Sequence, residues 1–324
     1  MQQEIRFATF NAFNLAPPGA KLYDNLEPCC EELYEAKVDW TARQLDMLDA
    51  DVIGFQEIFC QATLRAVLAR TRRYRDATLH GFDPDPDADR LTPSVALVSR
   101  LPLAGPATPL RDFPAGIEAP PGMRDPHRFT RAPLHVPILL APDVVVDVLV
   151  VHLKSRRPDY RNGDSSEDPA LYALACLRSL IRRGTEAAAL RVLLTGLARA
   201  SGRPRIVLGD FNDVADSVTT GIVLGNGGCA AARMYDACQL QRRQDHLRHV
   251  GFSVVHDGHY TTIDHILVSE EFNTALPNAI GEVVEVLYLN DHLELNLPEA
   301  SDHGQVVARL RLFDEAHGLM DAGL

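Results

Sequence analysis

An α/β fold with two packed β-sheets is the architecture this sequence predicts, and three observations predict it. Strand-like apolar runs alternate with helix-like periodic stretches along the chain. No repeat or flexible linker divides it. The 324 residues are 46% hydrophobic and 23% charged, which is enough apolar mass for a large core without disulfides or structural metals. Disorder, collagen and coiled coil are excluded as the main architecture. One domain over 1–324 is expected, with a loop–helix insertion at about 155–200.

Residues 5–11 alternate as a strand. Residues 37–49 place Val38, Leu45 and Leu48 at helical spacing. A short buried strand follows at 52–57, then a helix at 62–72 with Leu64, Val67 and Leu68 on one face. Strands are expected at 74–80 and 94–100. Residues 102–127 are rich in Pro and Gly and read as a surface loop with room for one strand. The longest apolar stretch, 132–151, is interrupted by His135, Pro137, Pro142, Asp143 and Asp147. It predicts a strand pair turning at Ala141-Pro142-Asp143 rather than a membrane span. After a polar loop, Asp168 is the expected cap and Pro169 the first turn of a helix to about Arg199, with Gly184 as a candidate break. Further strands are expected at 205–208, 263–268, 283–289 and 305–312.

Lysine and arginine number 32 against 44 aspartates and glutamates, a net charge of −12. That balance suits a site that collects divalent cations and disfavours non-specific binding of long polyanions. The six cysteines form no CxxC pair, and Cys29 and Cys30 are adjacent. The first residues carry no apolar signal core, so reduced thiols in a cytoplasmic protein are expected.

Some motif-like features carry little. Asp83, Asp85 and Asp87 resemble the start of a calcium loop, but Ala88 replaces the turn glycine and Ser94 the bidentate glutamate. Gly225–Gly228 lacks the Lys-Ser/Thr that follows a phosphate-binding loop. Trp40 reads as core. His256 and His259 lack a thiolate pair or an HExxH frame for zinc and read as loop residues.

The informative pattern is that apolar strands end in carboxylates, amides or imidazoles. The run from Ile5 ends at Asn11, and that from Val52 at Glu57. The run from Val144 ends at His152 and Lys154. Ile206–Leu208 leads into Gly-Asp210-Phe-Asn212-Asp213, and Thr262-Ile263 into Asp264. Ser301-Asp302-His303 precedes the last strand. One such residue is usually just exposed. Several argue for a shared edge, where Asp and Glu beside His and Asn suit hard-cation and phosphate chemistry.

FATFNAFN, DVIGFQEIF, VVVHLKS, VLGDFND, TIDHILVS and SDHGQV, in this order over residues 5–312, resemble the signature of the endonuclease/exonuclease/phosphatase superfamily. That resemblance implies a four-layer α/β sandwich, two mixed β-sheets face to face with helices outside. It implies Glu57 and Asp302 as metal ligands with Asn11 placing Glu57. It implies Asp210 and Asn212 orienting water and phosphate, and His303 with Asp264 as its carboxylate partner. It adds His152 as a second imidazole and Arg131, with Lys154 beside it, facing phosphate. The general base stays open between Asp210 and His303. Two departures stand out. Phe13 occupies the place of a second acid in abasic-site endonucleases, and His152 stands where they carry tyrosine. HLKS therefore leans toward the deoxyribonuclease, sphingomyelinase and phosphatase branches.

The chemistry is coherent in itself. Mg²⁺, with Mn²⁺ or Ca²⁺ as substitutes, would neutralise phosphate charge, and Asp210 and Asn212 would orient water. An aspartate beside His303 would raise its pKa. The expected activity is hydrolysis of phosphate esters, first of nucleic acid in a deoxyribonuclease-like reaction, with small esters such as inositol phosphates or phospholipid head groups as the alternative. A calcineurin-type phosphatase would share GDxxD but needs GNH[DE] and GHxH, which are absent. An inactive binding module would be expected to lack a ligand or the final histidine, and this chain has them all. Arginines at 70/72/73/75, 156/157, 182/183 and 242/243 are candidate nucleic-acid contacts or solvated faces.

Overall fold

The computed structural model describes residues 3–83, 90–120, 122–123, 125–161, 163–226, 232–242, 251–295 and 297–313. The acidic loop after Asp83, the end of the Gly225–Gly228 cluster, Cys229 and Arg243 lie outside them. In chain order the elements are β1 (Glu4–Leu15), α1 (Glu31–Leu48), β2 (Val52–Ile58), α2 (Gln61–Arg70), β3 (Thr78–Gly81), β4 (Ser94–Ser99), β5 (Thr108–Pro109), β6 (Leu134–Ala141) and β7 (Val144–His152). Then come α3 (Pro169–Ser201), β8 (Arg205–Asp210), α4 (Val218–Leu224), β9 (Met234–Asp236), α5 (Ala237–Leu240), β10 (Val254–His256), β11 (His259–Thr261), β12 (Asp264–Ser269), β13 (Gly281–Leu289) and β14 (Gln305–Leu312).

Two six-stranded sheets, ordered β13-β14-β1-β2-β4-β3 and β5-β6-β7-β8-β12-β9, carry the fold, and β10-β11 form a separate hairpin. Strand alternation explains the layering. Ile5 and Phe7 of the first sheet and Val146, Val148, Val150, Ile206 and Leu208 of the second share the core between the sheets. Ala8, Phe10 and Phe55 turn outward onto α1 and α2. Leu149, Val151 and Val207 turn outward onto α3 and α4. Helices, sheet, sheet and helices thus make the four expected layers. At Gly54 the two sheets approach closely: a Cβ there would sit 2.9 Å from Leu208 Cβ. Only glycine fits that gap.

The structure differs from expectation in informative places. Helix α3 runs unbroken through Gly184 for 33 residues, capped by Asp168 on the Ala170 and Leu171 amides. A glycine costs a helix roughly 1 kcal/mol, too little to outweigh burial along the rest of the helix. Its buried face packs on the second sheet through Leu190 and Leu194, so the helical part of the expected 155–200 insertion is a layer of the fold. The short β9 and the β10-β11 hairpin carry little periodicity in sequence. Among the described residues no helix is long and apolar enough to cross a membrane.

Candidate active site

Register brings the polar strand ends together. On the second sheet His152 pairs with Asp210 across β7/β8, and Asp264 pairs with Asp210 across β12/β8. On the first sheet Asn11 pairs with Gln56 across β1/β2, leaving Glu57 one residue beyond. His303 precedes β14, the neighbour of β1. The ends of both sheets therefore face one cleft.

Its centre is Asp210, which is 1% exposed. Its carboxylate accepts from the Asn212 backbone at 2.7 Å, the Asn212 amide at 3.2 Å and the Asn11 amide at 3.0 Å. His152 Nε2 lies 3.3 Å away and His303 Nε2 4.0 Å away. His303 donates from Nδ1 to Asp264 Oδ2 at 2.8 Å, and Asn11 Nδ2 sits 3.4 Å from His303 Nε2. Burial pushes the Asp210 carboxyl up, but His152, His303 and the Asn212 amide outweigh it and hold the group well below the carboxylate range. Burial pushes His303 down, yet Asp264, Asp210 and Asp302 together hold it well above the ordinary imidazole value. Burial and the Arg131 charge push His152 down. At neutral pH the cleft thus holds an anionic aspartate between a neutral and a charged imidazole, an acid–base arrangement.

Asp302 and Glu57 lie beside this network. Burial, then repulsion from Glu57 among other charges, raises the Asp302 carboxyl, although its side chain keeps 54% exposure. Glu57 Oε2 accepts from the Asn14 amide at 2.9 Å. Two hard carboxylates that repel each other have the chemistry to hold a divalent cation between them. Among the described residues, Asp210, Asp264 and His303 also place ligand atoms within 4.8 Å of one another. Asp210 and His303 are bonded to their neighbours Asn11, Asn212 and Asp264, whereas Asp264 Oδ1 is buried with no hydrogen-bond partner among the described residues.

The backbone is strained here. Phe13, Asn14, Glu57 and Asn212 have φ of 49°, 56°, 59° and 53°, the left-handed region that disfavours side chains. These left-handed residues sit where the strand ends turn, with the Asn11 and Asn212 amides both donating to Asp210 Oδ2 and Glu57 held by the Asn14 backbone amide.

Arg131 and Lys154 reach the same edge but are engaged with backbone. Arg131 donates from Nε to the His152 carbonyl at 3.0 Å and from Nη2 to the Leu153 carbonyl. Lys154 Nζ donates to the Ser155 and Arg157 carbonyls, each at 3.2 Å, and burial, then Arg131, brings its pKa down to about 8. Beneath both lies Glu186 of α3, 1% exposed. It accepts from Thr130 N at 2.9 Å, Lys154 N at 2.8 Å and Arg182 Nε at 3.0 Å.

Sequence reasoning missed several residues. Lys37, 8% exposed on α1, is pushed down to about 8 by burial, against the opposing pull of the Asp302 and Glu57 charges. Its signal was a lysine on the core-facing side of a helix. Ser301 Oγ donates to Asn11 O at 2.7 Å and accepts from His303 N at 3.0 Å. Ser253, fully buried, accepts from the Ile263 and Asp264 amides at 3.1 and 3.2 Å. Nothing in the sequence marks it.

This geometry has relatives among solved structures. The human Nocturnin catalytic domain with bound sulfate superposes with a TM-score of 0.60 at 15% identity, covering 96% of this chain and 98% of that one. A Bacteroides thetaiotaomicron mannosyl-6-phosphatase gives 0.59 at 15% identity, over 94% and 99%. D. rerio TDP2 complexed with a single-strand DNA product gives 0.56 at 14%, over 95% and 98%. At such identities the likeness is one of fold. A comparison with curated protein sequences found no match. The sequence profile of the endonuclease/exonuclease/phosphatase family matches residues 8–303, from the first strand of the cleft to His303 itself. That span takes in every side chain of the cleft described above and all of the strands except the start of β1 and the final β14, and the chain belongs to the endonuclease/exonuclease/phosphatase family.

Proposed function

We propose that the chain is a divalent-metal-dependent phosphoesterase that hydrolyses phosphate esters of limited size by in-line attack of water. The observation that carries this reading is the convergence of Asp210, Asn11 and the His303–Asp264 pair within hydrogen-bonding reach. Glu57 and Asp302, with Asn11 placing Glu57, would hold the Mg²⁺, which supplies charge neutralisation at the phosphate. Asp210 accepts the proton of the attacking water while Asn212 and Asn11 keep its carboxylate aimed. His303, held charged, donates to a phosphoryl oxygen, and Asp264 fixes its ring. His152, neutral, completes the phosphate side.

Two observations support a short substrate. The candidate basic clusters are largely neutralised: Arg70 by Glu35 and Asp39, Arg182 by Glu186, Arg183 by Asp213 and Arg242 by Glu282. A long duplex needs cations in excess along its track. A pocket of about 290 Å³ opens beside Asp302, walled by Phe13, Val255, Leu293 and Leu297, with room for one sugar or one ring. The second reading is a nuclease working on DNA, with Arg131 and Lys154 at the backbone and one base in that pocket. The test is a panel of sugar phosphates, inositol phosphates, sphingomyelin, oligonucleotides and supercoiled plasmid with Mg²⁺, with His303→Ala as control. Rapid His303-dependent turnover of a small ester with intact plasmid supports the first reading. Plasmid nicking with inert small esters supports the second. Inertness toward every ester, with metal bound, refutes both.

A further inference from the structure

Lys37 is a charged side chain that the mechanism leaves unused. It lies on α1 with only 8% of its surface exposed. Lysine stems ordinarily carry their charge out to water, and a buried ammonium is unfavourable unless it is paired. Among the described residues this ammonium has no hydrogen-bond or ion-pair partner, and it sits over the face of Phe13, 5.4 Å from the ring centre. Phe13 belongs to the turn that carries the metal side of the cleft. Its own amide donates to Asn11 Oδ1 at 3.0 Å, and the next amide, that of Asn14, donates to Glu57 Oε2 at 2.9 Å. Its ring walls the pocket that Asp302 also lines. Lys37 thus reaches this turn from the α1 side, and Asp302 and Glu57 are the anions that act on it most strongly.

We infer that Lys37 is a positioning residue for the divalent ion, whose standing positive charge offsets the Glu57–Asp302 pair and loosens the grip of that pair on the ion. The inference rests on the reading of Glu57 and Asp302 as the metal ligands. Electrostatics give its sign. An entering cation is attracted by the two carboxylates and repelled by the ammonium, and a lysine with so little contact with water is poorly screened. The ammonium has no acceptor atom to offer, so it cannot join the ligand set and acts only through its charge. In the empty site the same charge eases the repulsion between the carboxylates, so the pair keeps its place without an ion. The result is a site that holds a hard cation weakly enough to exchange, and one whose affinity rises when the lysine charge is removed.

Titration of the full chain with Mn²⁺ at neutral pH, with the free ion read by electron paramagnetic resonance and Mg²⁺ as competitor, tests this. Lys37→Met keeps the length of the side chain without its charge and should bind Mn²⁺ on the order of tenfold more tightly than wild type. Lys37→Arg keeps the charge and should bind within about threefold of wild type. Tighter binding is an outcome that local damage does not produce, because a disturbed α1 would loosen the carboxylates and weaken the ion. Lys37→Gln is a second uncharged variant, and circular dichroism checks the fold of each. Glu57→Gln is the reference for the metal site itself. If it binds Mn²⁺ as wild type does, the ion lies elsewhere, and the reading of the metal site fails and takes this inference with it. If Glu57→Gln loses the ion while Lys37→Met and Lys37→Gln bind no more tightly than wild type, the metal site stands and the inference alone is overturned. Equal tightening in Lys37→Arg overturns it as well, since shape and not charge would then be the cause. So does unfolding of both uncharged variants, since the charge would then serve the fold and not the ion.

Discussion

Removing the Glu186 carboxylate is the perturbation that best probes how α3 supports the cleft. Glu186→Ala deletes an acceptor shared by the Thr130 amide, the Thr130 hydroxyl, the Lys154 amide and the Arg182 guanidinium. Arg182 keeps bonds to the carbonyls of Asp125 and Arg128, so its charge loses its counter-ion but not every partner. Leaving a buried cation without its carboxylate costs about 3–5 kcal/mol, and each stranded amide about 1–3 kcal/mol more. Water entering the vacated space offsets part of this, and a net loss of about 4 kcal/mol is expected. Glu186→Gln keeps the shape but turns one acceptor into a donor facing a donor, with an expected loss of about 2 kcal/mol. Urea unfolding followed by circular dichroism measures both, with ΔG compared at equal m-value. The same variants should raise KM for the phosphate ester more than they lower kcat, because the loops carrying Arg131 and Lys154 loosen while Asp210 and His303 stay in place. A Glu186→Ala protein within 1 kcal/mol of wild type would refute the account of α3 as the brace of the substrate side.

Four further outcomes are expected. His303→Ala and Asp210→Asn should each lower kcat on the order of 100-fold with unchanged circular dichroism, the usual scale for a lost acid–base group; wild-type turnover in either would remove it from the mechanism. Chelation should abolish activity, and added Mg²⁺ should raise the melting temperature of wild type but not of Glu57→Gln; equal shifts in both would move the metal away from Glu57. His265, fully enclosed, has its pKa lowered by burial but raised overall by Asp236 at 3.0 Å and the Asp213 carbonyl. A raised folded value means its stabilisation is complete below the ordinary 6.5 and is lost as pH rises through the folded value, so the wild-type advantage over His265→Gln should be largest in mild acid and shrink above neutrality; a pH-independent gap would contradict this. Cys29→Ser/Cys30→Ser should keep full activity, since both thiols are free and sit on the surface side of the chain before α1; a large loss would assign them a role in the chemistry.

The strands that carry the cleft were legible because each is a compact apolar run whose end is marked by a polar residue. Their bounds came within a few residues for β2, β4, β7 and β14. The convergence of Asp210, Asp264, His152 and His303 depends on register between distant strands, which local patterning does not encode. The polar strand ends argued for a shared edge, and the resemblance to a family of enzymes gave each residue its place on it. Arg131 illustrates the remaining gap. Its charge was visible, but its bonds to two backbone carbonyls depend on a turn that no local pattern specifies. Ser253 was invisible because it sits inside a stretch that reads as ordinary loop, whereas Lys37 was marked only by being a lysine on the core-facing side of α1. The length of α3 was legible. Which of its apolar residues stay exposed was not, because an apolar residue in a helix looks the same whether it faces a sheet or solvent.

The left-handed turns at Phe13, Asn14, Glu57 and Asn212 also bear on how this protein tolerates change. Each holds an L-residue where glycine would rest at lower cost, by about 1 kcal/mol or more. The fold therefore carries a standing debt of several kcal/mol concentrated in the cleft, against a total stability of roughly 5–15 kcal/mol. A screen for heat resistance would be drawn to glycine at these positions, and at Glu57 and Asn212 that gain would erase the proposed metal ligand and the amide that holds the Asp210 carboxylate. Thermostabilisation and catalysis pull in opposite directions at this strip of backbone, and variants that satisfy both must be found elsewhere in the two sheets.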